Sequence, residues 1–166
     1  MQLVIILIGL YLCWRLGRLA YRLYRKRPDL DIGPGYMHRY YVLPRNRFAN
    51  VYLHCMYKDD DDRALHDHPW HSVSWCLKGR LYEISKGNMP GVDAIGIIRP
   101  SFLPRVRAAS FAHRLEVPEP SVTLFCTGPV VREWGFHCPK GWVPWRQFVD
   151  SRDSGKVGRG CGEHED

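Results

Sequence analysis

The segment HDHPWHSVSWCLKG, residues 66–79, holds the side chains best suited to chemistry in this chain of 166 residues. One residue separates His66 from His68, and His71 follows. In a β-strand alternate side chains share a face, so His66 and His68 would point the same way and His71 the other way. Two imidazoles on one face can hold a single metal ion. The alternative is a chance HxH pair, and a further ligand elsewhere in the chain would decide between the two.

The elements that must position these histidines are predicted to be strands. Residues 36–150 consist of short runs rich in β-branched and aromatic residues, such as NVYLHCMY and SVTLFCTG, separated by turn-forming Pro, Gly, Asp and Asn. This pattern, without a helical period, predicts an all-β sandwich or barrel. Residues 28–35 read as a linker by their Pro and Gly content, and residues 151–166 as a flexible tail.

The first 27 residues predict a membrane-anchor helix. Residues 3–14 are uninterruptedly apolar, but about 18 Å of helix is short for a span. Four arginines follow at helical spacing and form one stripe: Arg15, Arg18, Arg22 and Arg25. Because arginines can snorkel toward headgroups, a helix over residues 3–24 would reach across the membrane. A signal peptide and an amphipathic surface helix are the alternatives. Basic residues after the apolar run place the body in the cytoplasm.

The charge and the cysteine content indicate which partners and which cellular compartment to expect. Residues 1–27 carry six basic and no acidic side chains, which leaves 18 basic and 17 acidic side chains in the nearly neutral remainder. A neutral body lacks the positive surface that nucleic acid requires, so no nucleic-acid partner is expected. The six cysteines are scattered without a CxxC pair. That is not the pattern of a disulfide framework, and it fits a reducing compartment.

The histidine segment resembles the first motif of the cupin superfamily, an HxH pair followed after eleven residues by a glycine, here Gly79. The stretch PRVRAASFAHRLE resembles a degraded second cupin motif and supplies His113. HDHPW, HRLE and REWGF with a later GW are also similar to small cupin-like proteins of bacteria and their phages. The resemblance implies a double-stranded β-helix, or jelly-roll barrel, with a metal held by His66, His68 and His113. Cupins often form dimers, so a homodimer is an open expectation.

The chain departs from the superfamily at Ser72, where many cupins carry a glutamate ligand. A set of three histidines resembles the ligands of cysteine-dioxygenase-type cupins. The resemblance therefore implies an Fe(II)-dependent dioxygenase acting on a small molecule, with Zn, Ni or Cu as other metals that neutral imidazoles accept. Two alternatives stay open. One is a non-catalytic, membrane-tethered binding or structural cupin, and the other is a metal-dependent isomerase or hydrolase.

Several further residues are candidates for the surroundings of the metal. Ser72 occupies the missing glutamate's position, and Cys76 shares the face of His66 and could either line the site or belong to the core. Glu116 is expected to hold a ligand's free ring nitrogen or to accept a hydrogen bond from Arg114. Three arginines are candidates for an anionic substrate, with an exposed basic loop as the alternative: Arg63, Arg105 and Arg107. Three further histidines, His54, His71 and His137, are expected to be hydrogen-bonded or surface residues.

Overall fold

The computed structural model describes residues 2–33, 35–60, 64–89, 91–152 and 156–162. Helix α1 comprises Gln2–Tyr24, and the short helix α2 comprises Trp145–Phe148. The strands between them are β1 Leu30–Ile32, β2 Met37–Tyr41, β3 Asn50–Met56, β4 Leu65–His66, β5 Ser72–Lys78, β6 Leu81–Lys86, β7 Asp93–Ile98, β8 Arg105–Arg107, β9 His113–Glu116, β10 Ser121–Thr127, β11 Gly135–Cys138 and β12 Gly141–Pro144.

The strands form two antiparallel sheets. The first sheet has the order β1-β2-β3-β10-β5-β8, and the second has the order β12-β11-β4-β9-β6-β7. Strands that are far apart in sequence are neighbours in both sheets, as in β3 with β10 and β4 with β9. This arrangement is the cupin-like β-sandwich predicted from the sequence, so the all-β fold class is confirmed. The helix preceding it is also observed, whereas its association with a membrane stays a prediction.

An apolar core fills one end of the sandwich. It consists of residues contributed by both sheets and by the loop after β9: Met37, Met56, Cys76, Leu81, Ile98 and Val117. The strands contribute these residues because side chains alternate between the two faces of a strand, and every second residue of β3 and β5 points inward. Nearer the other end the inward positions carry His54, Ser72 and Thr123, which are also buried. Polar side chains at these positions mark where a site can lie.

The glycine of the first motif has a structural reason. Gly79 lies between β5 and β6 with a φ of +81°, a conformation that glycine adopts without a steric penalty. A Cβ at this position would lie 2.7 Å from the carbonyl oxygen of Pro120 and would also collide with Ser121. The turn into β6 therefore depends on glycine, and β6 carries Glu83.

Two expectations about the ends of the body need correction. Residues 30–32, inside the predicted linker, form an edge strand that pairs with β2. Cys138 and Cys161 form a disulfide, with Cα atoms 5.5 Å apart, although the cysteine spacing indicated no framework. Residues 156–162 thus lie against the barrel, where Gly158 N also donates to Phe148 O at 2.9 Å. The prediction of a flexible tail is therefore wrong for residues 156–162. It failed because the sequence spacing of cysteines does not show which of them pair.

The polar contacts that the described residues make between helix α1 and the rest of the chain involve its second half. Arg15 donates hydrogen bonds to the carbonyl oxygens of Tyr41 and Val42 at 3.2 and 3.0 Å, and Arg22 pairs with Asp29 at 2.5 Å. No residue of the helix is buried. Its length and mean hydropathy of 1.8 suffice to cross a membrane. The apolar half before Arg15 therefore projects away from the sandwich.

Candidate metal centre

Three histidines meet inside the sandwich. His66 on β4 is directly opposite His113 on β9, and His68 follows β4 by two residues. The ring centroids are 5.1 Å apart for His66 and His68, and 5.2 Å apart for each of the other two pairs. One ring nitrogen from each histidine lies within 4.8 Å of the others. The structure therefore brings together the three predicted ligands, whereas metal binding by them stays a prediction.

Their electrostatic state suits a cation. Burial lowers the pKa of His66, although the carboxylate of Asp60, 3.8 Å from its Nδ1, acts in the opposite direction. Burial and the neighbouring histidines lower the pKa of His68 well below its usual range. Neutral imidazole is the form that donates a lone pair to a metal. Nε2 of His68 lies 2.9 Å from Nε2 of His113, so the two atoms face a common point. The donor set fits a divalent metal of the imidazole-preferring kind.

Glu83 on β6 orients His113. Its Oε1 lies 2.8 Å from Nδ1 of His113, and Arg107 donates to both carboxylate oxygens. Burial alone would raise the pKa of Glu83, but the hydrogen bonds from His113 and Arg107 outweigh it and lower the pKa to about 2. An ionised carboxylate only accepts, so Nδ1 of His113 carries the proton and Nε2 presents its lone pair to the cluster.

Replacing Glu83 by glutamine should weaken metal binding about 10–100-fold, the usual cost of losing a carboxylate that supports a histidine ligand. The measurement is a zinc competition titration of the full-length protein in detergent against a chromogenic chelator. Glu116→Gln is the matched control, since Glu116 is paired with Arg114 and does not contact the cluster. Equal zinc affinities in the two variants would show that Glu83 does not support the site.

The candidates Glu116, Ser72 and Cys76 lie in different surroundings. Glu116 accepts from Arg114 at 2.9 Å, which is one of its two predicted roles. Ser72 is buried on β5, where it pairs in register with Thr127. Cys76 is part of the apolar core, and its thiol donates to the carbonyl oxygen of Lys78 at 3.5 Å. The core interpretation of Cys76 is the one the structure supports.

None of the described arginine candidates is available for a substrate in the predicted way. Arg107 is bound to Glu83, so its charge is already compensated. Arg105 on β8 donates to the backbone carbonyl of Ile97 on β7 at 2.8 Å, so it links the edge strands of the two sheets. Arg63 lies outside the described residues.

A different arginine occupies the interior. Arg39 on β2 donates from Nε to Nε2 of His54 at 2.9 Å, and its guanidinium lies 4.8 Å from the ring centroid of Tyr52. His54 stacks on Phe125 with centroids 5.1 Å apart, and Phe125 lies 6.3 Å from the ring of His68. Among the described residues no carboxylate forms an ion pair with Arg39. A cation at an inward position of MHRYY was the available signal, which the sequence reasoning did not use.

Asp67, between the two histidines of the HxH pair, has a structural role, because it connects this segment to β11 and β12. Only 1% of it is exposed. It accepts hydrogen bonds from the backbone N of Gly135 at 2.9 Å, from Nε1 of Trp142 at 3.1 Å and from Nε2 of His137 at 3.2 Å. Arg132 lies 2.6 Å away as its ion partner. Burial would raise the pKa of Asp67, but these hydrogen bonds and the charge of Arg132 hold it below its usual range. The HDHPW and REWGF segments are thus joined at this carboxylate.

No protein-family model and no curated protein matches the chain. Solved structures similar to it include a cupin superfamily protein from Desulfitobacterium hafniense, 10% identical, with a TM-score of 0.46 over 63% of this chain and 85% of that one. A candidate mannose-6-phosphate isomerase from Ralstonia eutropha is 17% identical, with a TM-score of 0.48 over 61% and 93%. An oxalate decarboxylase variant from Bacillus subtilis is 16% identical, with a TM-score of 0.44 over 61% and 26%. All three TM-scores are below 0.5, and these likenesses say nothing about the activity of this chain.

Proposed function

We propose that this protein is a mononuclear metal enzyme of the cupin type, an Fe(II)-dependent dioxygenase that acts on a small molecule. The observation that carries the proposal is the convergence of His66, His68 and His113 inside the β-sandwich, a cluster that includes no carboxylate from the described residues. Three neutral imidazoles would hold the metal and leave coordination positions open. When bound, Fe(II) would supply the redox chemistry with oxygen that no side chain provides.

The chain's own residues would fix the site and select the substrate. Glu83 keeps the proton on Nδ1 of His113 and so fixes which nitrogen faces the metal. Arg39 offers a guanidinium that pairs with no carboxylate among the described residues, and a guanidinium binds a carboxylate in bidentate fashion. Tyr52 contacts this cation, and Phe125 lies beside both His54 and His68, so aromatic rings connect the cation with the histidine cluster. A small molecule that carries a carboxylate or another anionic group is therefore the substrate class that fits.

Two observations favour a second candidate function, a membrane-tethered cupin that binds a metal or a small molecule without catalysis. Ser72 stands where many cupins have a carboxylate ligand, and α1 is an exposed apolar helix. The dioxygenase stays the main proposal because the three-histidine set is complete without that carboxylate. A Lewis-acid isomerase or hydrolase would use the same ligands with a metal that has no redox role.

Membrane attachment through α1 is part of the proposal. The basic residues after the apolar run favour the cytoplasmic side for the sandwich, whereas the Cys138–Cys161 disulfide corrects the expected reducing compartment and favours an oxidising one. All large apolar side chains from Leu3 to Trp14 are exposed. Arg15 is hydrogen-bonded to the barrel, so the membrane interior would end before this residue. Residues 2–14 then supply about 20 Å of helix, less than a hydrocarbon core of about 30 Å. In this arrangement α1 would enter the membrane without spanning it, although the whole helix is long enough to cross. The arginine stripe then lies at the level of the headgroups and not within the hydrocarbon core.

Oxygen consumption tests the proposed reaction. The full-length protein in detergent would be loaded anaerobically with Fe(II) and given a panel of small thiols and carboxylates at an oxygen electrode. We expect substrate-dependent oxygen uptake that is lost in His68→Ala and retained in His71→Ala. Turnover that persists when Zn replaces Fe(II) would identify the isomerase or hydrolase class. Bound metal with no turnover of any candidate would favour the binding protein.

A further inference from the structure

A concave basic site lies on helix α1, outside the sandwich and away from the histidines. The cavity has a volume of about 570 Å³. It is lined by two aromatic residues, one glycine and three arginines: Trp14, Tyr21, Gly17, Arg18, Arg22 and Arg27. Neither the metal site nor the framework around it uses these residues.

The end of the helix builds this cavity. Lys26 has a φ of +49°, a left-handed conformation that costs a non-glycine residue about 1–2 kcal/mol. The turn is closed by Arg27 N donating to Arg22 O at 2.9 Å and by Lys26 N donating to Leu23 O at 3.1 Å. This hydrogen-bond pattern is that of a Schellman motif. It reverses the chain and brings Arg27 beside Arg22. On the helix itself, a Cβ at Gly17 would meet nothing within 4 Å, so the groove is open there.

The charge of the cavity is largely uncompensated. Arg22 has a carboxylate partner in Asp29. Arg18 lies 5.0 Å from the ring centroid of Trp14, and within the described ranges neither Arg18 nor Arg27 forms an ion pair. Two guanidinium groups in one cavity form an anion site, because each presents a fork of donors that matches phosphate oxygens.

The location of the cavity selects the source of the anion. It begins at Trp14, where the exposed apolar half of α1 ends, and it extends past Arg15, the first residue bonded to the barrel. Tyr and Trp concentrate at the level of lipid headgroups, and basic residues there attract anionic lipids. We propose that this cavity, the α1 basic pocket, binds the phosphate of an anionic phospholipid headgroup. The proposal rests on membrane attachment through α1 and is independent of the metal chemistry.

Vesicle sedimentation of the full-length protein tests the pocket. Phosphatidylcholine vesicles would be compared with vesicles that also contain phosphatidylglycerol, for the double variant Arg18→Gln/Arg27→Gln and for Arg45→Gln/Arg47→Gln. The second pair removes the same charge from the exposed β2–β3 loop. We expect anionic lipid to strengthen binding, and the pocket variant to lose about 10-fold or more of that gain, while the loop variant keeps most of it.

Each outcome decides one question. Equal losses in the two double variants would overturn the pocket and leave only a general charge effect. Wild-type protein that does not sediment with phosphatidylcholine vesicles would contradict membrane attachment itself. A third series adds inorganic phosphate to the vesicles. If the protein binds inorganic phosphate through Arg18 and Arg27, and anionic lipid does not strengthen its binding to vesicles, the pocket binds a soluble phosphate and the lipid proposal is wrong.

Discussion

Replacing His68 by alanine is expected to abolish tight metal binding by the full-length protein. His68 supplies one of the three nitrogen donors that the described residues bring together, and its Nε2 lies 2.9 Å from that of His113. Removing a residue that merely supports a ligand costs about 10–100-fold in affinity, so removing a ligand should cost more than 100-fold. After loading with Fe(II), Zn or Ni and desalting, mass spectrometry should find near-stoichiometric metal in the wild type and background metal in the variant.

His71→Ala is the matched control for this measurement. It removes the same side chain from the same segment, but His71 is exposed and its Nδ1 only accepts a hydrogen bond from Ala109 N at 3.3 Å. The control should retain its metal. If His68→Ala binds as much metal as His71→Ala, the three-histidine cluster is a set of packed core residues and the enzymatic proposal fails with it.

The largest effect on stability is expected at Asp67. Asp67→Ala removes the buried carboxylate that joins the HxH segment to β11 and β12, and it leaves Arg132 without its ion partner. Arg132 is 34% exposed and can be solvated after the change, so the main cost comes from the buried hydrogen-bond donors left without an acceptor, about 1–3 kcal/mol. We therefore expect the free energy of unfolding, measured by denaturant titration of the metal-free protein in detergent, to fall by about that amount.

Asp31→Ala is the comparison for Asp67. Asp31 also faces a histidine, with 3.6 Å between its Oδ1 and Nε2 of His38, but 59% of its side chain is exposed. Exposed ion pairs contribute about 0–1 kcal/mol, so this variant should be nearly as stable as the wild type. A loss at Asp67 no larger than the loss at Asp31 would show that the carboxylate is not a structural anchor of β11 and β12.

Much of this architecture follows from local pattern. Strand alternation in the body predicts two-faced strands, and the glycine-bounded HxH segment predicts where the first two histidines lie. His113 was identified through a degraded motif, and the structure pairs it directly with His66. Helix α1 is predicted by an apolar run followed by arginines at helical spacing. These features depend on neighbours within a few residues, which the sequence displays directly.

The surroundings of the histidines depend instead on contacts between distant segments. Glu83 reaches His113 only because β6 pairs with β9, and Arg39 meets His54 because β2 pairs with β3. Nothing in the local sequence distinguishes Glu83 from Glu116, although only the first contacts a histidine of the cluster. The disulfide between Cys138 and Cys161 is a similar case. The sequence by itself therefore determined the class of fold, the helix and the three candidate ligands. Strand register in the tertiary structure decided which charges meet them, because register brings together residues whose separation along the chain carries no signal.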